Sequence, residues 1–108
     1  MRRGDIVTVA LPGDYGKPRP ALVVQDEAFA GHPSLTLLLL TSTLYEAPLL
    51  RIPVEPDSDN GLERRSHICI DKAITVPHAR LGPRIGRLQE ATMQTVNTAL
   101  ARFLGLTI

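Results

Sequence analysis

Lys17-Pro18-Arg19-Pro20-Ala21-Leu22-Val23-Val24 joins a basic site directly to a hydrophobic run. Each proline fixes its own φ and pushes the residue before it towards extended geometry, so Arg19 sits on stiffened backbone. The apolar residues after Pro20 read as a buried strand. A guanidinium is planar and always charged, which suits it to clamp a phosphate. Thr41-Ser42-Thr43 closes another apolar run. A hydroxyl and a guanidinium brought together at strand ends can hold a phosphodiester and stabilise the charge of its transition state. RNA carries its own nucleophile, the 2′-hydroxyl. Its cleavage therefore needs only a proton acceptor, a proton donor and charge stabilisation, with no metal. On residue types alone a simpler role stays open, in which Arg19 makes a structural ion pair and Thr41 ends a strand.

Other chemistries find little support. His32, His67 and His78 lack paired metal-ligand spacing, and no segment gathers three carboxylates. There is no glycine-rich phosphate loop and no serine in a nucleophile elbow. Aromatic residues make up 4%, too few for the stacking platform of common single-strand binders. Cys69 is the only cysteine, so no intramolecular disulfide forms, and Ile68-Cys69-Ile70 reads as core. A net charge of +1 gives no global pull towards polyanions, so any such binding must come from local clusters. Lys17 and Lys72 are the only lysines, and every other cation is an arginine.

The elements that must position these groups fit one domain, residues 1–108. Strands are expected at Ile6–Leu11, Pro20–Gln25, Leu35–Ser42 and Leu49–Glu55, with two more at Ser66–Asp71 and Ala73–Val76 on either side of Lys72. The leucines of the third predict burial on both faces, and Pro53 places the fourth at an edge or bulge. Pro12–Gly16 and Pro56–Gly61 read as loops, the latter with positive φ at Asn60 or Gly61. Asp26–Pro33 reads as an irregular connection with room for one helical turn. From Ala91 the period changes: Met93, Val96, Ala99, Leu100, Phe103 and Leu104 mark one face of a helix that stops at Gly105. Strands followed by one helix predict a mostly β fold, a small barrel or curved sheet with the helix packed against it. Met1-Arg2-Arg3-Gly4-Asp5 is no signal peptide, and no apolar run is long enough to span a bilayer, so a cytoplasmic, soluble protein is expected.

In order along the chain, Arg3–Val7, Lys17–Val24, Leu40–Thr43, Gly61-Leu62, Ser66–Asp71, Leu81-Gly82 with Ile85-Gly86, and Leu88 with the closing helix resemble the MazF/PemK (Kid) toxins of type II toxin–antitoxin pairs. The resemblance covers nearly the whole chain. It implies an SH3-like β-barrel with a C-terminal helix, the fold also shared by CcdB-type toxins, acting as a homodimer. It further implies a sequence-selective, metal-independent endoribonuclease that cuts single-stranded mRNA to 2′,3′-cyclic phosphate and 5′-hydroxyl ends. No cofactor is expected. The family's catalytic pair falls on Arg19, as phosphate-facing acid and transition-state stabiliser, and on Thr41, which hydrogen-bonds the scissile phosphate. Asp71 falls on the acid that the PemK branch uses as base or substrate-orienting group. Lys17, Ser42, Lys72, Arg84 and Arg87 complete the expected substrate-binding set. The partner implied is a small acidic antitoxin, through which alone operator DNA is bound. Two positions depart from the family: Cys69 and Ile74 stand where relatives carry arginine, with Arg64, Arg65 or Lys72 as candidate substitutes. Two alternatives remain open here, a CcdB-type gyrase poison and a non-catalytic relative that only binds antitoxin.

Overall fold

The computed structural model describes residues 1–13 and 17–107, so part of the predicted Pro12–Gly16 loop, residues 14–16, lies outside the described residues. Six strands precede one helix: β1 (Asp5–Val9), β2 (Arg19–Val23), β3 (Ser34–Thr41), β4 (Arg51–Val54), β5 (Ser66–Pro77), β6 (Leu81–Arg87) and α1 (Glu90–Leu104). They form one sheet in the order β4-β5-β3-β2-β1-β6, and every neighbouring pair is antiparallel. The far half of β5 and the start of β6 lie on opposite sides of β3, β2 and β1, yet only the 3₁₀ turn His78–Arg80 joins them. The sheet must therefore coil round on itself, in the sense that strand twist favours. The result is barrel-like, without a ladder between β5 and β6.

Both faces of the central strands are buried, as the leucine run predicts. Ile6, Leu22, Leu38 and Leu40 face a core that includes Ile68, Ile70, Leu88 and the α1 residues Met93 and Val96. Their neighbours Val7, Ala21, Val23, Leu37 and Leu39 face a second core with Val9, Leu35 and Val76. Pro53 is exposed on β4, which is an edge strand. The 26–33 connection contains a single 3₁₀ turn, Glu27–Phe29.

Three expectations change. Ser66–Asp71 and Ala73–Val76 are one strand, β5, with Lys72 inside it. Its register on β3 steps from Leu38↔Ala73 to Leu40↔Ile68, leaving Cys69 to Lys72 opposite Leu39 alone. Such a bulge tolerates polar residues without ending the strand, which is why Asp71-Lys72 looked like a break. Secondly, β6 goes unpredicted because Gly82, Pro83 and Gly86 read as breakers. It survives at a sheet edge, and glycine is required at 86, where an added Cβ would lie 2.4 Å from the Asp59 carbonyl oxygen. Thirdly, the apolar face of α1 is not covered to its end. Ala99 and Leu100 still pack on the core, but Phe103 and Leu104 are 50% and 60% exposed. Gly105 ends the helix at φ 70°, as expected. The shorter strands 1 and 4 also stop before Leu11 and start after Leu50.

Candidate active-site groove

Arg19 opens β2 opposite Val9 of β1. The β2–β3 register pairs Ala21 with Leu39. Continued by two residues, it sets Thr41 across from Arg19. Thr41 in turn pairs with His67 of β5, and His67 with Pro53 of β4. Residues directly opposite in a sheet share a face, so Arg19, Thr41 and His67 form one row across the strand ends. The Thr41 Oγ1 accepts a hydrogen bond from the Thr43 backbone N–H at 3.1 Å. That bond fixes the oxygen and leaves the hydroxyl hydrogen to donate outward.

Beside this row lies an open groove of about 760 Å³, lined by Lys17, Arg19, Thr41, Ser42 and Arg64, with Leu40, Leu62 and Ile85 among its apolar lining. The wall Gly61–Arg64 is held by Asn60, which is 1% exposed. Its Oδ1 accepts from the Leu62 N–H at 3.0 Å and the Asp57 N–H at 3.2 Å, and its Nδ2 donates to the Glu55 carbonyl at 2.9 Å. Gly61 follows at φ 69°, so close to β6 that a Cβ would lie 2.0 Å from the Ile85 oxygen. The turn residues 56–61 thus fold back to form one side of the groove.

The expected site residues separate into three places. Lys17, Arg19, Thr41 and Ser42 share the groove. Asp71 and Lys72 are exposed at the β5 bulge and do not line it. Their charges do reach the same neighbourhood, because the Cys69 thiol feels them together with Arg19. Burial pushes that thiol above its ordinary 9.0; Arg51, Lys72 and Arg19 pull it down, while Asp71 adds to the rise. Arg84 and Arg87 meet elsewhere, on the carboxylate of Asp5, at 3.1 Å and 2.8 Å. Asp5 is 3% exposed. Burial alone would raise its pKa, but the Arg2 backbone N–H and the Arg87 and Arg84 side chains outweigh burial and hold it below the usual 3.8.

Three residues near the site were missed or undervalued. Arg64 lines the groove. Arg51 pairs across β4–β5 with Cys69 and is 7% exposed. Its guanidinium carbon lies 4.0 Å from the Tyr45 ring centroid. His67 stands next to Thr41 in the row. None carries a local sequence signal: Arg51 and His67 owe their places to strand register, and Arg64 to the loop that Asn60 folds back. Among the described residues, no three His, Cys, Asp or Glu side chains gather as a metal-binding group. No helix among them is long and apolar enough to cross a membrane.

Fold and groove together define a small barrel-like β protein with a C-terminal helix and a cationic, hydroxyl-bearing cleft at its strand ends. The family model of the PemK-like, MazF-like toxins of type II toxin–antitoxin systems matches residues 2–104. A curated relative from Mycolicibacterium smegmatis, named a probable endoribonuclease MazF, is 48% identical over 98% of both chains. A solved mycobacterial endoribonuclease in complex with its cognate antitoxin superposes with a TM-score of 0.83 at 29% identity, over 100% of this chain and 98% of that one. The Mycobacterium tuberculosis toxin MazF-mt6 superposes at 0.81 with 26% identity, over 96% of this chain and 99% of that one. MazF of Deinococcus radiodurans, at 19% identity, 0.80, and 98% and 97% coverage, speaks for the fold alone. This chain belongs to the PemK/MazF toxin family.

Proposed function

We propose that the chain is a metal-independent endoribonuclease that cuts single-stranded mRNA in the Arg19–Thr41 groove. One observation carries the reading: Thr41, its hydroxyl oriented by the Thr43 N–H, and Arg19 line one cleft that also holds Lys17 and Arg64. In the proposed reaction the 2′-oxygen bonds to phosphorus as the P–O5′ bond breaks. The 2′-hydroxyl proton passes to an acceptor and the leaving O5′ gains one, giving a 2′,3′-cyclic phosphate and a 5′-hydroxyl. Arg19 stabilises the charge on the non-bridging oxygens, and Thr41 donates to one of them. Asp71 and Lys72, exposed at the β5 bulge outside the groove, serve as orienting contacts for RNA that runs beyond the cleft. Ser42 and Lys17 hold the flanking phosphates. Arg84 and Arg87, tied to Asp5, serve the groove by fixing β6 against β1.

The functional unit proposed is a cytoplasmic homodimer, neutralised by an acidic antitoxin whose tail folds over the same cationic groove. Operator DNA is bound only through that antitoxin. The decisive experiment incubates a mixed-sequence RNA with the protein and with Arg19→Ala, both in EDTA, and maps the new ends. Cyclic-phosphate ends from the wild type and none from the variant support the reading. Intact RNA at high protein concentration, with blocked gyrase supercoiling, overturns it in favour of a gyrase poison.

A further inference from the structure

Beyond Thr41 the row continues into a second groove, and nothing in the reading above uses it. The segment after β3 crosses the start of β5 on its way to β4. There it encloses about 600 Å³ between Tyr45, Arg51, Arg65, His67 and the α1 residue Thr95. Arg51 backs the Tyr45 ring and donates to the Tyr45 hydroxyl and, at 3.4 Å, to the Thr43 carbonyl. The ring is thereby fixed, yet Tyr45 is 55% exposed. A ring held from behind by a guanidinium and open in front is a stacking surface for a base.

His67 supplies the polar edge. Its Nδ1 is buried and, among the described residues, is the buried side-chain nitrogen or oxygen without a hydrogen-bond partner. A hydrogen there would be a buried donor with no acceptor. In the neutral ring, a hydrogen on Nε2 avoids that stranded donor. His67 then presents one N–H donor from the edge of the ring opposite the buried Nδ1. Arg65 adds further donors; it pairs with Glu55 at 2.6 Å, but both side chains are over half exposed and such pairs exchange readily for a better acceptor. Glu46 is the acid in the lining.

We propose that this second groove is a nucleotide subsite, resting on the ribonuclease reading above. It takes the base that neighbours the phosphate on Thr41, stacks it on Tyr45, and hydrogen-bonds an acceptor-bearing base edge from His67 Nε2–H and Arg65. His67 stands one strand from Thr41, about 5 Å between facing residues, so phosphate and base sites adjoin. His67 here is a specificity-determining residue, not a proton acceptor.

The test measures two things on wild type, His67→Phe, His67→Gln and Tyr45→Ala. One is cleavage-site preference on mixed-sequence RNA. The other is anisotropy binding of a mixed 2′-O-methylated oligoribonucleotide, which cannot be cut. Glutamine places its amide near the Nε2 position and should keep the preference. His67→Phe should relax it at one position beside the cut. Tyr45→Ala, on an exposed loop, should weaken binding about tenfold, the usual loss for one stacked base. Unchanged preference and binding in His67→Phe and Tyr45→Ala, with folded circular dichroism spectra, would overturn the subsite. Intact RNA from the wild type alongside variant-sensitive binding would refute the nuclease and leave the subsite standing.

Discussion

Asp5 offers the sharpest test of how the arginines are shared between structure and substrate. Its carboxylate accepts from the Arg2 backbone N–H at 2.8 Å, from Arg84 Nε at 3.1 Å and from Arg87 Nη1 at 2.8 Å. Removing one partner of a buried ion pair typically costs about 3–5 kcal/mol, because the other charge is stranded. Here that figure must be discounted. The Arg84 and Arg87 side chains are 51% and 33% exposed, so both rehydrate when the carboxylate goes, and the Arg84 pair is worth little. The Arg87 bond and the Arg2 N–H remain, at roughly 1–1.5 kcal/mol each. Asp5→Ala should therefore lower stability by about 2–3 kcal/mol, and Tm by about 10 °C for a domain of this size.

Urea unfolding followed by far-ultraviolet circular dichroism, at one fixed protein concentration, reads this directly. A loss under about 0.5 kcal/mol would refute the clamp. The pH dependence supplies a second check. A carboxyl held below 3.8 contributes stability that is fully present above that value and disappears as pH falls through the lower, folded-state pKa. The gap between wild type and variant should be flat from pH 5 to 7 and close in stronger acid. A gap that widened in acid would show that the sign is wrong. If Arg84 and Arg87 gripped RNA instead of Asp5, the variant would bind RNA more tightly while folding as well as the wild type.

Gly61→Ala forces a Cβ to 2.0 Å from the Ile85 oxygen at φ 69°; it should cost about 2 kcal/mol or more in urea unfolding and deform the groove wall. Thr41→Val removes the outward hydroxyl and should lower kcat about 10- to 100-fold in single-turnover cleavage, while Thr41→Ser retains most of it. Cys69 is 1% exposed with its thiol pKa raised, chiefly by burial; a thiol-reactive dye at pH 8 should label the native protein slowly and the urea-unfolded protein quickly. RNA binding should weaken steeply with salt, by about 0.7 log unit per log unit of salt for each phosphate neutralised.

Much of this was legible in the residues. Leu35 to Leu40 announce a doubly buried strand, the 91–104 spacing announces the helix, and Asn60-Gly61 announces the turn that becomes the groove wall. Arg19 and Thr41 could be named because each lies at a strand end marked by its own neighbours. The residues that escaped are those placed by register. That His67 faces Thr41 depends on a three-residue step in the β3–β5 pairing, and that Arg51 faces Cys69 depends on the separate β4–β5 register. A one-residue slip in either pairing would turn its side chains to the other face. Strand β6 escaped for a different reason: its glycines serve close packing against Asp59, Asn60 and Thr8, which outweighs their poor strand propensity.

The same register changes the meaning of Cys69. The family resemblance read from the sequence leads one to expect an arginine there, and a buried cysteine in its place suggests a site stripped of charge. A charge stands one strand away, however. Arg51 faces Cys69 on β4 and is 7% exposed, and its guanidinium is spent on the Thr43 carbonyl and on Tyr45. Thr43 is the residue whose N–H orients the Thr41 hydroxyl. Arg51 therefore acts on the groove through the loop, as a positioning residue. Arg51→Met should consequently lower kcat more than it raises KM for RNA, because Thr41 loses its fixed geometry while Arg19 and Lys17 still hold phosphate. A variant that raised KM alone would show that Arg51 holds substrate itself, and that its contacts to Thr43 and Tyr45 do not set the geometry of Thr41.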